Sequence, residues 1–308
     1  QDLDPTVAIS GRSTVVVVLT ESVTRDNLAL YGYERATSPG LLAHRDAQGD
    51  RLQVLRNAWS VDATTLPALR NLFGFGGAQG APHLLALARA AGYKVWWMSN
   101  HDDIGVEQEH GRFADVLDLV NRTPGRVGTA LDGELLDNVE AALAAPEARK
   151  LIVVHLLGAH PHYRLRYPTD QNPFDDRVDG TEAKMIDAGR STLVRQYRNE
   201  YDAAVLYQDS VVSDILRQIE ACGPSDEHRA LIYLSDHGQE VGHVGNHAGH
   251  SPATPAGYRI PTLVWRNRPF APTPSGAQAI AARPFRADWG AWTVAGLLGL
   301  HWAGENPS

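Results

Sequence analysis

Short runs of β-branched and other apolar residues alternate along the chain with longer stretches in which apolar residues recur at helical spacing. This alternation predicts an α/β fold, with a mostly parallel central sheet covered by helices on both faces. The predicted strands span residues 14–20, 53–59, 94–98, 151–157, 230–235 and 262–265. The predicted helices include residues 82–91, 132–144 and 197–220, and a last helix runs through residues 289–300.

The predicted helix at 197–220 shows the clearest pattern, because its apolar residues fall on one face. These residues are Tyr201, Val205, Val212, Ile215, Leu216 and Ile219. Residues 167–191 and 272–276 lack a sustained period and predict surface loops. We find no internal repeat and no convincing linker, so we expect a single domain over residues 1–308.

Composition and charge narrow the class of protein. The 308 residues carry 28 Lys and Arg against 36 Asp and Glu, a net charge of −8, and 43% of them are hydrophobic. This balance excludes a disordered chain and a nucleic-acid binder that works by bulk positive charge. The single cysteine, Cys222, excludes an intrachain disulfide and a cysteine-based zinc site. The apolar run at 15–19 is too short to span a bilayer, and no signal-peptide pattern opens the chain.

Polar residues follow four of the predicted strands at the end where parallel sheets collect their ligands. The candidates are Glu21 after the first strand, Asp62, Thr64 and Thr65 after the second, His160 after the fourth, and Asp236 with His237 after the fifth. Their convergence would place carboxylates, a hydroxyl and imidazoles in one crevice.

This mixture of oxygen and imidazole ligands suits Zn²⁺ and, less well, Mn²⁺ or Mg²⁺. A threonine hydroxyl beside a divalent cation loses its proton more easily, so the set favours nucleophilic displacement at a phosphoryl group. Three more histidines, His243, His247 and His250, lie shortly after His237 and add possible ligands. Each candidate also has a plainer explanation, since carboxylates and threonines at such positions often cap helices or turns.

Several segments of the sequence resemble the phosphoethanolamine transferases of the alkaline-phosphatase and sulfatase superfamily. The matching text is VVVVLTESVTRDNLALYGYERATSPGL at 15–41, HLLGAHPHYRLRYP at 155–168, YDAAVLYQDSVVSDIL at 201–216, IYLSDHGQEVG at 232–242 and IPTLVW at 260–265. These segments occur in the family's order and span most of the chain. The resemblance implies an alkaline-phosphatase/sulfatase-like fold.

The resemblance also implies roles for individual residues. Those that would hold the catalytic zinc are Glu21, one of Thr64 and Thr65, Asp236 and His237. The threonine would also be the nucleophile. His160 and a histidine of the His247 to His250 loop match positions that contact the phosphoryl group or a second zinc ion. Asn100 matches an asparagine of the headgroup pocket.

By the same resemblance, the enzyme would transfer phosphoethanolamine from phosphatidylethanolamine to lipopolysaccharide or an envelope glycan through a phospho-threonine intermediate. Family members carry amino-terminal membrane helices before a catalytic domain on the periplasmic face of the Gram-negative inner membrane. A chain that begins at Gln1 looks like that catalytic domain alone. We expect contact with the membrane surface through the missing helices, and no nucleic-acid partner.

Three departures from the family pattern leave alternatives open. One cysteine, instead of several disulfides, favours the branch that acts on core heptose or glucans over the branch that acts on lipid A. If residues are counted back from Leu66 without a gap relative to the family pattern, Asp62 falls at the nucleophile position. A small shift of that alignment selects Thr64 or Thr65 instead. A lysine that some relatives carry shortly after the Asn100 position is absent, so headgroup contacts would differ.

Other functions compete with phosphoethanolamine transfer. A sulfatase is suggested by Cys222 in CGPSD, which resembles the Cys-x-Pro-Ser-Arg motif of sulfatases. Asp226, however, stands where that motif has arginine. A phosphoglycerol transferase or a phosphodiesterase would share the metal and the nucleophile. A catalytically inactive domain that binds headgroups is the alternative from another class, and Asp62 at the nucleophile position would favour it.

Overall fold

The computed structural model describes residues 3–121, 128–270 and 280–305. The strands are β1 (Thr6–Val7), β2 (Ser13–Thr20), β3 (Leu52–Val54), β4 (Asn57–Trp59), β5 (Lys94–Ser99), β6 (Val116–Leu119), β7 (Arg149–His155), β8 (His228–Ser235), β9 (Glu240–Val241), β10 (Ala248–Gly249), β11 (Thr262–Arg266), β12 (Pro284–Arg286) and β13 (Leu300–His301). The α-helices are α1 (Pro39–Gln48), α2 (Thr65–Phe73), α3 (Leu84–Ala90), α4 (Ile104–Glu109), α5 (Leu136–Ala144), α6 (Gly180–Asp187), α7 (Thr192–Ala221) and α8 (Gly290–Leu298). Short 3₁₀ segments lie at Arg25–Asn27, Ala29–Tyr31, Gly49–Arg51, Phe75–Gly77, Gly111–Phe113, Asp132–Leu135, Tyr163–Leu165, Pro255–Gly257 and Ala287–Trp289.

Within the described ranges, the central sheet has seven strands in the order β3-β11-β8-β2-β7-β5-β6. Strands β8, β2, β7, β5 and β6 run parallel, whereas β11 is antiparallel to both β8 and β3. The predicted mostly parallel α/β sheet is therefore confirmed. Because parallel neighbours are joined by crossover connections, the carboxyl ends of β2, β7 and β8 meet at one edge.

The sheet is covered on both faces, which explains the uninterrupted apolar run in β2. Val16 and Val18 lie in the core on one face, while Val15 and Val17 lie in the core on the other. Helices α1, α5 and α7 contribute to the first core and α2, α3 and α8 to the second. Strand β2 thus lies at the centre of the molecule and fixes the position of the residues that follow it.

Helix α7 is the longest helix and forms much of the first face. It begins earlier than the predicted residue 197, because the Ser191 hydroxyl caps it by accepting a hydrogen bond from the Val194 N–H at 3.2 Å. The apolar face predicted from the sequence is confirmed, since all six of its residues are buried.

Some predicted element boundaries are wrong. The strand predicted at 53–59 is two strands, because the chain leaves the central sheet after β3 and β4 pairs with β12 instead. The loop predicted at 167–191 contains α6, whose amino end is capped by Asp179. The first part of the predicted helix 132–144 is 3₁₀, and the last helix ends at Leu298. The predicted loop at 272–276 lies outside the described residues.

None of the described helices combines the length and the apolar composition that are required to cross a bilayer.

Candidate active site

The carboxyl ends of β2 and β8 bring together the residues of the candidate site. Glu21 follows β2, and Asp236 and His237 follow β8; these three residues are at most 1% exposed. Ser22, which follows Glu21, has a φ of 60°, and this conformation turns the chain sharply. The sheet topology therefore places two acidic side chains and one imidazole together in the interior.

Glycine at position 158 allows the loop after β7 to approach Glu21. Gly158 has a φ of +63°, and a Cβ atom there would lie 2.6 Å from the Glu21 carbonyl oxygen and 2.8 Å from the Glu21 nitrogen. Asp132 also holds this loop, because its carboxylate accepts hydrogen bonds from the Leu157 and Gly158 N–H groups at 2.8 and 2.9 Å. The backbone around Glu21 is thus tightly packed.

One oxygen of Glu21 faces a group of potential metal ligands. Glu21 Oε2 lies 3.4 Å from His237 Nε2, and Asp236 Oδ2 lies 3.5 Å from the same nitrogen. Ligand atoms of Glu21, His237 and His250 all lie within 4.8 Å of one another. Both Glu21 Oε2 and Asp236 Oδ2 are buried without a hydrogen-bond partner among the described residues.

Hydrogen bonds to the backbone orient these ligands. Asp236 Oδ1 accepts from the Ser22 and His237 N–H groups at 3.1 and 2.6 Å, which leaves Oδ2 available. His237 Nδ1 lies 2.6 Å from the Gly238 carbonyl oxygen, so Nδ1 carries the proton and Nε2 presents a lone pair in the neutral ring. The residues fit a zinc ion, because orphaned carboxylate oxygens and a bare imidazole nitrogen converge in a buried space.

The pKa values at this site reflect the crowding of charge. Burial, followed by the neighbouring charge of Glu21, raises the pKa of Asp236 well above its usual range. Burial opposes the charged form of His237, but Asp236 and Glu21 outweigh it and raise its pKa to about 9. The two carboxylates thus compete for positive charge, which is the situation that a divalent cation would relieve.

The other oxygen of Glu21 faces the candidate nucleophile. Thr65, the first residue of α2, donates its hydroxyl to Glu21 Oε1 at 2.8 Å and lies 3.4 Å from His237 Nε2. Thr64 is exposed and its side chain makes no capping hydrogen bond. Asp62 points elsewhere, because its Oδ2 accepts a hydrogen bond from Asn71 at 2.8 Å. Of the three candidates that the sequence left open, the structure brings Thr65 to the cluster and not Thr64 or Asp62.

The remaining predicted residues differ in how near they lie to the cluster. His160 Nε2 is 3.9 Å from Glu21 Oε1, and the His250 ring centroid is 4.8 Å from that of His237. Asn100 is fully buried and donates to Asp132 Oδ1 at 3.0 Å, while its Oδ1 has no partner in the described chain.

Two of the predicted histidines lie outside the cluster. His247 is exposed and lies against the His250 carbonyl, so it is not part of the cluster. His243 lies between Glu240 and Asn27, where it connects loops.

Sequence reasoning missed His101, whose Nε2 lies 3.8 Å from Glu21 Oε1. Its position in the sequence indicates this place, since His101 comes two residues after β5 and polar residues that follow parallel strands gather at this edge of the sheet. Cys222 is exposed at the carboxyl end of α7, shortly before β8 begins. It therefore lies at the opposite edge of the sheet from the cluster, and the structure gives it no catalytic position.

Comparison with known proteins gives one family match. The family model described as Sulfatase matches residues 13–298. Phosphoethanolamine transferase EptC of Escherichia coli K12 is 29% identical over 310 residues, which cover 96% of this chain and 52% of that protein. Phosphoethanolamine transferase CptA of Salmonella typhimurium is 30% identical over 311 residues, again 96% and 52%. The chain thus spans about half the length of these curated relatives.

Solved structures agree with the sequence comparison. The C-terminal periplasmic domain of EptC from E. coli, in complex with Zn, superposes with a TM-score of 0.86 at 27% identity, covering 99% of this chain and 87% of that one. The soluble domain of lipooligosaccharide phosphoethanolamine transferase A from Neisseria meningitidis gives a TM-score of 0.73 at 26% identity, with 97% and 92% covered.

Proposed function

The chain belongs to the sulfatase family, and on this premise we propose that it is the catalytic part of a zinc-dependent phosphoethanolamine transferase. The resemblance seen in the sequence is confirmed by its similarity to EptC and CptA. The observation that carries the proposal is the position of Thr65, whose hydroxyl lies against Glu21 and His237. These two residues, with Asp236 and His250, form what we call the metal-capable cluster. This placement favours an active transferase over an inactive headgroup-binding domain.

We assign the zinc ligands to residues whose polar atoms face the cluster. They are Glu21, Thr65, Asp236 and His237, with His250 alongside. When bound, Zn²⁺ would offset the negative charge on the phosphoryl oxygens and lower the pKa of the threonine hydroxyl. One tightly held ion is proposed here. A second ion near His160 and His250 stays a prediction from the resemblance.

The proposed reaction has two displacements at phosphorus. Thr65 Oγ1 attacks the phosphorus of phosphatidylethanolamine, and its proton passes to Glu21 Oε1. The diacylglycerol oxygen leaves with the electron pair of the broken P–O bond and takes a proton from water. The product is phosphoethanolamine-threonine. An acceptor hydroxyl or phosphate then attacks phosphorus, the bond between phosphorus and the threonine oxygen breaks, and that oxygen leaves with the electron pair and recovers its proton from Glu21.

His160 is suited to the second displacement. Its Nδ1 lies 2.7 Å from the Pro161 carbonyl oxygen and carries the proton, so Nε2 of the neutral ring is an acceptor. Burial lowers the pKa of His160, which favours the neutral ring. We therefore propose that His160 takes the proton of the acceptor hydroxyl.

We propose that the acceptor binds in a cleft beside His250. The cleft has a volume of about 690 Å³ and reaches from Pro161, next to His160, along α7. Tyr197 offers an aromatic surface, Glu200 and Arg164 offer charged groups, and His250 forms the wall shared with the metal-capable cluster. An aromatic face surrounded by polar groups suits a sugar with hydroxyl and phosphate substituents.

The partners and the location follow from the same proposal. We propose that the donor is phosphatidylethanolamine, that the acceptor is lipopolysaccharide core or another envelope glycan, and that the protein works at the membrane surface on the periplasmic face of the inner membrane. Asn100 is retained as the proposed headgroup residue, because its buried Oδ1 lacks a hydrogen-bond partner within the described ranges.

The test is to incubate the zinc-loaded protein with a fluorescent phosphatidylethanolamine analogue and to locate the adduct by mass spectrometry. We expect a phosphoethanolamine adduct on Thr65, lost in Thr65→Ala and retained in the matched control Thr64→Ala. In a parallel incubation with phosphatidylglycerol, a phosphoglycerol adduct on Thr65 in place of the phosphoethanolamine adduct would indicate the rival transferase. The absence of any adduct on Thr65 would contradict the proposal.

A further inference from the structure

The two oxygens of the Glu21 carboxylate face two different groups of side chains. Oε2 faces His237 and the metal-capable cluster, whereas Oε1 faces Thr65, His101 and His160. Around Oε1, the Thr65 hydroxyl lies at 2.8 Å and the Nε2 atoms of His101 and His160 at 3.8 and 3.9 Å. The reaction proposed above uses Thr65 and His160 but gives His101 no role.

The hydrogen bonds of His101 assign its tautomer. Its Nδ1 accepts a hydrogen bond from the Asp103 N–H at 3.1 Å, so the proton of the neutral ring is on Nε2. His160 and His237 have the opposite arrangement, because their Nδ1 atoms lie 2.7 and 2.6 Å from carbonyl oxygens. When all three rings are neutral, only that of His101 presents an N–H donor to the site.

The ring of His101 is held firmly in this orientation. It stacks on the ring of His155 with centroids 4.6 Å apart and planes inclined by 6°, and the His101 N–H donates to Ser99 Oγ at 3.0 Å. The side chain is 3% exposed. A donor fixed in this way is preorganised and needs no rearrangement when a ligand arrives.

His101 Nε2 is buried and has no hydrogen-bond partner in the described part of the chain. Its separation from Glu21 Oε1, 3.8 Å, is too long for a hydrogen bond. Leaving a buried donor unpaired is unfavourable, and in native proteins such groups are rare. The missing partner therefore points to a ligand acceptor that occupies the space next to Thr65.

We propose that His101 is a catalytic residue whose Nε2–H donates a hydrogen bond to a nonbridging oxygen of a phosphoryl group at Thr65. The ligand class is a tetrahedral oxyanion. That this oxyanion is the phosphoryl group of a phosphoethanolamine ester rests on the proposed function. Negative charge builds up on these oxygens during displacement, so a fixed donor beside the nucleophile stabilises the transition state more than the ground state.

A role of His101 as a metal ligand is the alternative. Coordination through Nε2 would require the proton to move to Nδ1, and the hydrogen bond from the Asp103 N–H would be lost. The geometry therefore favours a donor over a ligand. The two roles differ in what happens to the zinc content when the imidazole is removed.

The experiment measures orthovanadate binding to the zinc-loaded protein by calorimetry, zinc content by mass spectrometry, and the single-turnover rate of adduct formation on Thr65. The variants are His101→Ala, His101→Gln and His101→Asn, with His301→Gln as a control at an exposed histidine. Glutamine places an N–H near the position of histidine Nε2, whereas asparagine reaches only the position of Nδ1.

For His101→Ala we expect vanadate affinity to fall by about tenfold or more and adduct formation by roughly 10²-fold, with zinc content unchanged. His101→Gln should recover much of both losses, while His101→Asn should not. His301→Gln should match the wild-type protein. Circular dichroism and melting temperature would show that each variant is folded.

Three results would overturn the inference. They are wild-type vanadate affinity in His101→Ala, loss of zinc in that variant, and failure of the wild-type protein to bind vanadate. If vanadate binding depends on His101 while the wild-type protein forms no adduct from phosphatidylethanolamine, the oxyanion site stands and the proposed transferase function fails.

Discussion

The close approach of Gly158 to Glu21 gives a sharp test of how the site is held. In Gly158→Ala, the new Cβ would lie 2.5 Å from Thr20 Oγ1, 2.6 Å from the Glu21 carbonyl oxygen and 2.8 Å from the Glu21 nitrogen. Two of these atoms belong to the backbone and cannot rotate away, so the segment that carries Glu21 must move. Alanine at a φ of +63° adds conformational strain.

The expected magnitude combines two costs. The left-handed backbone conformation costs alanine about 1 kcal/mol, and overpacking of a filled interior costs roughly 1–3 kcal/mol more. We therefore expect the free energy of unfolding to fall by about 2–4 kcal/mol. A displacement of Glu21 by even a fraction of an ångström should also weaken zinc binding and slow adduct formation, on the order of 10²-fold.

The matched control is Gly189→Ala. Gly189 has a φ of +76°, but a Cβ there would meet no atom within 4 Å, so this variant carries the backbone strain without the clash. Urea denaturation, zinc content and the adduct assay would be run on both variants. If Gly158→Ala and Gly189→Ala have the same zinc content and the same rate of adduct formation, the loop does not position Glu21 and the argument is refuted.

Three further expectations concern other parts of the molecule. The buried Lys150 ammonium donates hydrogen bonds to the Ala142 and Ala145 carbonyls at the end of α5. Lys150→Met should therefore lower the free energy of unfolding by about 1–3 kcal/mol in urea denaturation, and an unchanged urea midpoint would contradict this. His83 Nε2 contacts His110 Nδ1 at 2.9 Å, and burial lowers their pKa values to about 3 and about 4. Below about pH 6.5, the unfolded chain binds protons at these two histidines that the folded chain does not bind. The free energy of unfolding should therefore fall as the pH drops from 6.5, by up to about 1.4 kcal/mol per pH unit for each histidine. His83→Asn, which keeps a capping acceptor, should show a shallower pH dependence of the urea midpoint, and an equal slope would count against this explanation. Tyr197→Ala should reduce transfer to deacylated lipopolysaccharide roughly tenfold while the Thr65 adduct still forms. Transfer at the wild-type rate would contradict the proposal that the acceptor binds in the cleft.

The sequence predicted the centre of the fold better than its edges, for a physical reason. Strand β2 is buried on both faces, so its apolar run is continuous and visible without any knowledge of its partners. The segment at 53–59 divides because β4 pairs with β12, more than 220 residues later, and local pattern carries no information on such pairing. The sequence did not predict edge strand β6, because Asp118 interrupts its apolar residues and none of the four is fully buried.

The candidate site was predictable as a set but not in its details. Strand ends pointed to Glu21, Asp236 and His237, and the fold brings them together. The choice among Asp62, Thr64 and Thr65 depends on where α2 begins, because one step along a helix turns a side chain by about 100°. His101 depends on tautomer and burial, which follow from backbone contacts that spacing alone does not reveal.

The central claim is that Glu21, Thr65, Asp236 and His237 share one zinc ion. Anomalous diffraction at the zinc absorption edge, from crystals of the zinc-loaded protein, tests it most directly. We expect a single strong peak within bonding distance of these four side chains, and no peak there in Asp236→Ala. A peak held by other residues, or zinc-loaded crystals with no density between these side chains, would contradict the account.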